Sequence, residues 1–147
     1  MSKASDIRTA LSSLLETTLP GYQELSDSID NPDNPVTVLD KGYSIAYGAA
    51  TNVSDVICPG TARLQRTYTI LLCNEYTANL CPDYRNTLED ALLDDLDSLV
   101  TIIEQNNVLN GLAINSTYTD DGGVEYLETE AKQFIVMILN ISVDYFQ

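Results

Sequence analysis

The chain lacks histidine and tryptophan, and only seven of its 147 residues are lysine or arginine. Without histidine there can be no Ser-His-Asp triad, no Cys-His dyad and no histidine-ligated zinc site. Without tryptophan, a glycosidase with two carboxylates would lack a strong stacking residue for its sugar. A glycine-rich phosphate-binding loop is absent as well. We therefore expect a protein that is not an enzyme, with no catalytic residue, no cofactor and no metal site.

Positive charge is scarce, and the formal net charge is −15. Between Lys41 and Lys132 the only positive residues are Arg63, Arg66 and Arg85. Such a surface repels phosphate backbones and anionic membranes, which weighs against tight binding to either. Two interpretations of the charge stay open: it keeps the protein in solution, or it lines a passage through which DNA slides without sticking.

Long apolar runs and targeting signals are also missing. The longest apolar run, Phe134–Leu139, is far too short to span a bilayer. The N-terminal residues carry charges that interrupt any apolar signal-peptide core. Three cysteines, an odd number without metal-like spacing, are most simply explained by a reduced, cytoplasmic setting.

Two segments have the apolar periodicity of amphipathic helices. In the first, Ser5 is the expected N-cap and Pro20-Gly21 ends the helix. Its apolar residues are Ile7, Ala10, Leu11, Leu14 and Leu15. The second helix is expected over Leu88–Gln105, with Thr87 as its cap. Its buried stripe is Leu88, Leu92, Leu96, Leu99 and Ile103, and its opposite stripe is Asp90, Asp94, Asp97, Thr101 and Glu104.

The remaining patterned segments predict strands. These are Val36–Leu39, Tyr43–Tyr47, Ala62–Tyr76, a hairpin of Leu112–Thr119 and Val124–Leu127, and a terminal strand within Ala131–Gln147. The expected hairpin turn is Asp120-Asp121-Gly122-Gly123. Gly48–Thr61 is expected to be a long connection, of the kind that is usually functional or mobile. The order of elements predicts one α+β domain over residues 1–147, with a mostly antiparallel sheet and two main helices packed on it.

The terminal strand has the clearest alternation in the chain. One set of positions is apolar throughout: Ile135, Met137, Leu139, Ile141, Val143 and Tyr145. The intervening set begins with Phe134, Val136 and Ile138 and then becomes polar at Asn140, Ser142 and Asp144. We therefore expect burial on both faces at the start of the strand and on one face at its end.

Carboxylates and tyrosines are the remaining candidates for function. The pairs Asp94-Asp95 and Asp120-Asp121 are best interpreted as solvated surface, although a small carboxylate-dependent hydrolase stays open as an alternative. Most of the nine tyrosines lie in or beside expected strands, which reflects strand propensity. Tyrosine is also enriched at protein interfaces, and Tyr43 and Tyr47 are therefore candidates for a subunit interface.

The order of these elements resembles that of tail terminator (tail-completion) proteins of long-tailed bacteriophages. The resemblance covers nearly the whole chain. It rests on the N-terminal helix, the strands GYSIAYG and RLQRTYTILL, the helix LEDALLDDLDSLVTIIEQ, the hairpin and the terminal strand FIVMILNISVDYF. It is a resemblance of order and pattern, and no single motif carries it.

The resemblance implies an α/β sandwich subunit and a homo-oligomer, a hexameric ring. Such a ring caps the finished tail tube and joins it to the head-tail connector protein, and the genome passes through its lumen. Its partners would be the phage tail tube protein and the connector, with DNA passing without tight binding and no membrane involved. It would be located in the virion, in the tail or neck, after assembly in the host cytoplasm. Alternatives are a phage neck or head-completion protein and an acidic inhibitor that mimics nucleic acid.

Two hypotheses about residues follow. Arg63 and Arg66 are rare positive charges on opposite faces of one strand, and we expect at least one to meet carboxylates of an adjacent subunit. An intrachain or solvent-exposed position for both is the competing interpretation. The candidate lumen acids are Asp90, Asp94 and Asp97, with the loop acids Asp27, Asp30 and Asp33 as a second possibility.

Overall fold

The computed structural model describes residues 2–24, 41–53, 62–76, 84–128 and 133–147. Two helices and a five-stranded sheet account for most of these residues. Helix α1 spans Lys3–Thr18 and helix α2 spans Tyr84–Gln105. The strands are β1 (Gln23–Glu24), β2 (Gly42–Asn52), β3 (Arg63–Tyr76), β4 (Asn115–Glu128) and β5 (Gln133–Phe146).

The strand order in the sheet is β1-β2-β3-β5-β4. The pair β1–β2 is parallel, and the other three pairs are antiparallel. The predicted fold class, an α+β protein with a mostly antiparallel sheet and two main helices on it, is confirmed. The predicted strand Val36–Leu39 lies outside the described residues. Among the described residues, no helix is long and apolar enough to cross a membrane.

Helix α1 begins one turn earlier than expected. Its N-cap is Ser2, whose hydroxyl accepts a hydrogen bond from the Ser5 backbone N–H at 3.3 Å. Ser5 therefore lies inside the first turn, and its prediction as the cap was wrong. The helix ends at Thr18 with Leu19 as its C-cap, just before Pro20-Gly21, as the sequence predicts.

Helix α2 also begins before its expected cap. Because it starts at Tyr84, Thr87 is a helical residue rather than a cap, and that prediction was wrong. The apolar stripe is confirmed, with Leu88 half-buried and Leu92, Leu96, Leu99 and Ile103 buried. The opposite stripe is exposed along its whole length, from Asp90 to Glu104. A short 3₁₀ turn, Leu109–Gly111, connects the helix to β4 and contains the left-handed residue Asn110 (φ 56°).

The predicted hairpin around Asp120–Gly123 does not form. Strand β4 instead runs continuously through this segment, and β4 pairs with β5 from Asn115 to Glu128. The ladder is irregular between Tyr118 and Asp120 and again between Asp121 and Gly123. Gly123 has a φ of +77°, so the turn-type residues are used for bulges within one strand.

Strand β2 also continues further than expected. The segment Gly48–Asn52, predicted as the beginning of a long connection, is part of the strand. The register shifts between Tyr47 and Ala50, which marks a bulge at residues 48–49. Residues 54–61 of the predicted connection lie outside the described residues.

Both helices pack on one side of the sheet, which we call the covered face. One apolar cluster contains residues of α1, α2, β2, β3 and β5. From the sheet it includes Tyr43, Ile45, Tyr68, Ile70, Leu72, Ile135, Met137, Leu139, Ile141, Val143 and Tyr145. The predicted packing of both helices on the sheet is confirmed, and the α2 stripe and β5 belong to the same cluster.

The other side of the sheet, the outer face, changes character along its length. A smaller cluster of Leu71, Cys73, Phe134 and Val136 is buried at one end, with Ile138 packed beside it. Toward the other end, Asn140, Ser142 and Asp144 are half-buried polar residues. The predicted transition of β5, from burial on both faces to burial on one, is confirmed.

Candidate interaction surfaces

Tyr43, a predicted interface residue, belongs to the core. Its side chain is fully buried where β2 passes beneath α1. Its hydroxyl shares a hydrogen bond of 2.7 Å with the Ser12 hydroxyl and donates to Glu16 Oε1 at 3.0 Å. Burial, with a further contribution from the Glu16 hydrogen bond, raises the pKa of Tyr43 to about 12. Tyr43 therefore offers no surface to a second chain, and we correct its assignment to the interface.

Tyr47 lies four residues after Tyr43 on the same strand and reaches the surface, where 47% of it is exposed. Its ring is tilted against that of Tyr68, with 5.8 Å between the ring centroids. The Arg66 guanidinium carbon lies 5.5 Å from the Tyr47 ring centroid, within reach of a cation–π contact. Tyr47 remains a candidate interface residue, and its ring contacts Tyr68 and Arg66.

Arg66 makes several contacts within the chain. Its Nε donates to the Tyr145 hydroxyl at 3.1 Å, and Nη1 donates to the backbone carbonyl of Gly48. Gly48 lies at the β2 bulge, so Arg66 satisfies a carbonyl beside the irregular part of the ladder. These contacts agree with the intrachain interpretation of Arg66 rather than with our expectation of a partner subunit's carboxylate.

Arg63 lies on the outer face and forms a salt bridge with Asp144 of β5. The distance between Arg63 Nη2 and Asp144 Oδ2 is 2.9 Å. The Arg63 side chain is 43% exposed and the Asp144 side chain 17% exposed. The pair is internal to the chain, and it neutralises the one carboxylate at this end of the two central strands.

Around this pair, the outer-face residues of β3 and β5 carry no net charge. There, the facing residues of the two strands are uncharged apart from the Arg63–Asp144 pair, and Thr69 donates to Asn140 Oδ1 at 2.9 Å. The exposed Phe146 is the Cα partner of Arg63 across the ladder. We call this region the outer-face patch: Arg63, Gln65, Thr67, Ser142, Asp144 and Phe146. On a chain of net charge −15, such a neutral patch is a place where two copies can approach without strong repulsion.

The candidate lumen acids lie on the other side of the molecule. Asp90, Asp94 and Asp97 are all exposed on α2, on the side of the helix that faces away from the sheet. The outer face also carries acids, namely Glu75, Asp120 and Glu125, so its neutral part is the outer-face patch alone. The alternative loop acids Asp27, Asp30 and Asp33 lie outside the described residues.

The sequence interpretation missed a buried network beside the acidic stripe. Tyr22 donates to Asp95 Oδ2 at 2.8 Å, and the Asn74 side-chain amide donates to the Tyr22 hydroxyl at 2.8 Å. Asp95 and Asp94 therefore differ: Asp94 is exposed, whereas Asp95 is half-buried and hydrogen-bonded. Asp95 lies three residues after Leu92 and four before Leu99, a spacing that could have placed it at the border of the buried stripe.

The described residues offer little for chemistry. They contain no group of three or more His, Cys, Asp or Glu side chains that could hold a metal ion. A shallow groove of about 390 Å³ between α1 and the 3₁₀ turn is lined by polar and apolar side chains such as Ser13, Thr17 and Leu14. Nothing in this groove pairs a nucleophile with a base.

Comparison with known proteins assigns no family. No protein-family model matches the chain, and no curated protein matches it in sequence.

Proposed function

We propose that this protein is a structural subunit of a phage virion, a ring-forming tail terminator. In this proposal a hexameric ring caps the tail tube, joins it to the head-tail connector protein and lets DNA pass. Its place is the tail or neck of the virion, after assembly in the host cytoplasm. The support is the order of elements that resembles that family, together with the two-layer α+β architecture.

The observation that carries the proposal is the neutral outer-face patch on a strongly acidic chain. Identical subunits of net charge −15 need a surface on which they do not repel each other, and the outer-face patch is such a surface. The patch also combines an arginine with the exposed aromatic Phe146, two residue types that are enriched at interfaces. The exposed acids Asp90, Asp94 and Asp97 would then lie away from the subunit contacts and could face DNA without binding it.

Light scattering on the purified chain tests this proposal. We expect a closed oligomer of discrete mass for the natural chain. Thr67→Glu adds one negative charge to the centre of the outer-face patch and should lower the mass of the oligomer. Thr101→Glu adds the same charge to the exposed stripe of α2 and should leave the mass unchanged. A natural chain that stays monomeric at high concentration would contradict the ring.

A gel shift with duplex DNA tests the proposed passage of DNA. At about 0.15 M salt, micromolar protein should give no complex, because a chain with only seven lysine and arginine residues and a net charge of −15 has little means to release counterions from the phosphates. Salt-sensitive binding under these conditions would contradict both the proposed lumen and our interpretation of the charge.

A second candidate is an acidic inhibitor that mimics nucleic acid. It is favoured by the same α2 stripe, in which Asp90, Asp94 and Asp97 follow one side of a rigid helix. This candidate predicts a stable monomer that binds a basic protein through α2. A phage neck or head-completion protein is the alternative within the first class, and it would bind the connector but not the tail tube.

A further inference from the structure

The groove between α1 and the 3₁₀ turn has the size and lining to hold one side chain of another protein. Its volume of about 390 Å³ is at the lower end of the range for protein ligand pockets, roughly 300–1,000 Å³. Ala10, Leu14 and Leu112 supply apolar lining, and Asp6 is the single charged residue among the described residues that line it. The groove therefore suits an aromatic or aliphatic side chain that has a positive charge beside it.

The exposed hydroxyl groups along this side of α1 already have partners inside the helix. Thr9, Ser13 and Thr17 each donate to the backbone carbonyl four residues earlier, at 3.1, 3.1 and 2.9 Å. When another chain displaces water from such hydroxyl groups, no donor is left unsatisfied, and the loss of free energy is small. This side of α1 can therefore be covered by a partner although its composition is polar.

A side chain that fits the groove lies on the opposite side of the same protein. Phe146, the last residue of β5, is 51% exposed and belongs to the outer-face patch. Its Cα partner across the ladder is the cation Arg63. Both helices pack on the covered face, so the groove and the outer-face patch lie on opposite sides of the sheet. One chain cannot bring these two surfaces together, whereas two neighbouring copies can.

We propose that the groove binds Phe146 of a second copy of this chain. Each subunit then offers its outer-face patch to one neighbour and its groove to the other. This contact rests on the proposed function, a ring-forming subunit, and it names the surface that the outer-face patch meets. A contact between two different surfaces is the kind that closes a ring, whereas a patch that pairs with itself stops at a dimer. With Phe146 in the groove, the neighbouring Arg63 would approach Asp6, a residue of opposite charge.

Substitutions on the two surfaces of the full chain test this contact. Phe146→Ala removes the inserted side chain, and Ser13→Trp fills the groove with a side chain of its own. Each should raise the dissociation constant of the oligomer about tenfold or more, as measured by sedimentation velocity over a series of concentrations. Both residues are exposed, so the circular dichroism spectrum should not change.

Two matched controls lie on α2. Leu93→Ala truncates an apolar side chain that is 44% exposed, close to the value for Phe146. Ser98→Trp enlarges an exposed serine whose hydroxyl makes the same kind of bond, to the carbonyl four residues earlier. Each control should change the dissociation constant less than about threefold.

An equimolar mixture of the two defective chains distinguishes this contact from pairing of like surfaces. The Ser13→Trp chain keeps its outer-face patch and the Phe146→Ala chain keeps its groove, so one intact contact can form between them. We expect heterodimers and nothing larger, at a concentration where neither variant associates alone. If outer-face patches paired with each other, Ser13→Trp would associate unaided and the mixture would gain nothing.

Three results would overturn the proposal. A natural chain that stays monomeric at high concentration would contradict this contact together with the ring. An oligomer whose dissociation constant is the same in the natural chain and in both variants would contradict the contact alone, because the ring would then use other surfaces. Variants that dissociate singly but do not combine in the mixture would show that the groove and Phe146 do not meet.

Discussion

The covered and outer faces of the sheet are made from the same strands but are stabilised in different ways. On the covered face, a continuous apolar cluster is combined with tyrosine hydroxyls that hydrogen-bond to both helices. On the outer face, a small apolar cluster occupies one end, and the rest is polar with one salt bridge. The covered face therefore carries most of the folding free energy, and the outer face is where substitutions can change association without unfolding the chain.

The largest expected effect comes from removing an apolar side chain from the covered face. Leu96→Ala should lower the free energy of unfolding by about 2–5 kcal/mol, because a buried leucine leaves a cavity. The matched control is Leu93→Ala on the same helix, where the side chain is 44% exposed and the change should stay within about 0.5 kcal/mol. Denaturant melts of both variants check this. A loss below about 1 kcal/mol for Leu96→Ala would mean that the wrong side of α2 had been assigned to the core.

A smaller loss should follow from breaking the hydroxyl network at the border of the covered face. Tyr22→Phe removes the acceptor of the buried Asn74 amide and the donor to Asp95. We expect a cost of about 1–3 kcal/mol, the range for a buried polar group left without a partner. Tyr47→Phe, on a half-exposed side chain, serves as the control and should cost less than about 0.5 kcal/mol. If thermal melts show that Tyr22→Phe and Tyr47→Phe lower the free energy of unfolding equally, the hydrogen-bond network of Tyr22 adds no stability beyond that of an exposed hydroxyl.

The buried tyrosines also predict how stability depends on pH. The pKa of Tyr43 is raised to about 12, so the folded state holds this proton more tightly than the unfolded state does. Its contribution is fully present below the ordinary tyrosine pKa of about 10, and is lost as the pH rises through about 12. Burial also raises the pKa of Tyr68, which adds to the same loss.

Tyr43→Phe tests this dependence. The variant should lose less stability than the natural chain between about pH 10 and about pH 12, as measured by denaturant melts. Tyrosinate absorbance of the natural chain should show a class of tyrosines that ionises late. Identical slopes of stability against pH for the variant and the natural chain would contradict the role of Tyr43.

The smallest expected effect on stability is that of the outer-face salt bridge. Asp144→Asn removes the ion pair with Arg63 but keeps the shape of the side chain, and should cost about 0–1 kcal/mol. A loss near that of Leu96→Ala would remove the energetic distinction between the two faces. Salt titration of the natural chain is a useful companion measurement, because exposed pairs weaken with ionic strength.

Periodic apolar residues made part of this fold predictable from sequence. The alternation in β5 and the α2 stripe predicted which side of each element is buried. Apolar residues that repeat every two residues in a strand, or every three to four in a helix, lie on one side of the element, and that side packs in the core. The hairpin prediction failed because Asp120–Gly123 is equally suitable for a turn and for a pair of bulges. Only the pairing of β4 with the whole of β5 distinguishes the two.

The candidate surfaces were harder to predict, because their partners are distant in sequence. Tyr43 could have been assigned to the core, since it shares a strand face with the buried Ile45. Its hydroxyl partners Ser12 and Glu16 lie 31 and 27 residues away, and no local pattern indicates them. The alternation did indicate that Arg63 and Arg66 lie on opposite faces, but not which atoms they would contact.

The tyrosine hydroxyls of the covered face have a consequence for motion. Apolar packing alone would let a helix slide along the sheet, because dispersion contacts have little directional preference. Tyr68 holds the start of α1 through the Ala4 carbonyl at 2.8 Å, Tyr43 holds its middle, and Tyr22 holds α2 through Asp95. Each bond fixes a position along a helix axis, so shear between the layers would have to break them together. Amide exchange in α1, α2 and the central strands should then occur by a single cooperative opening.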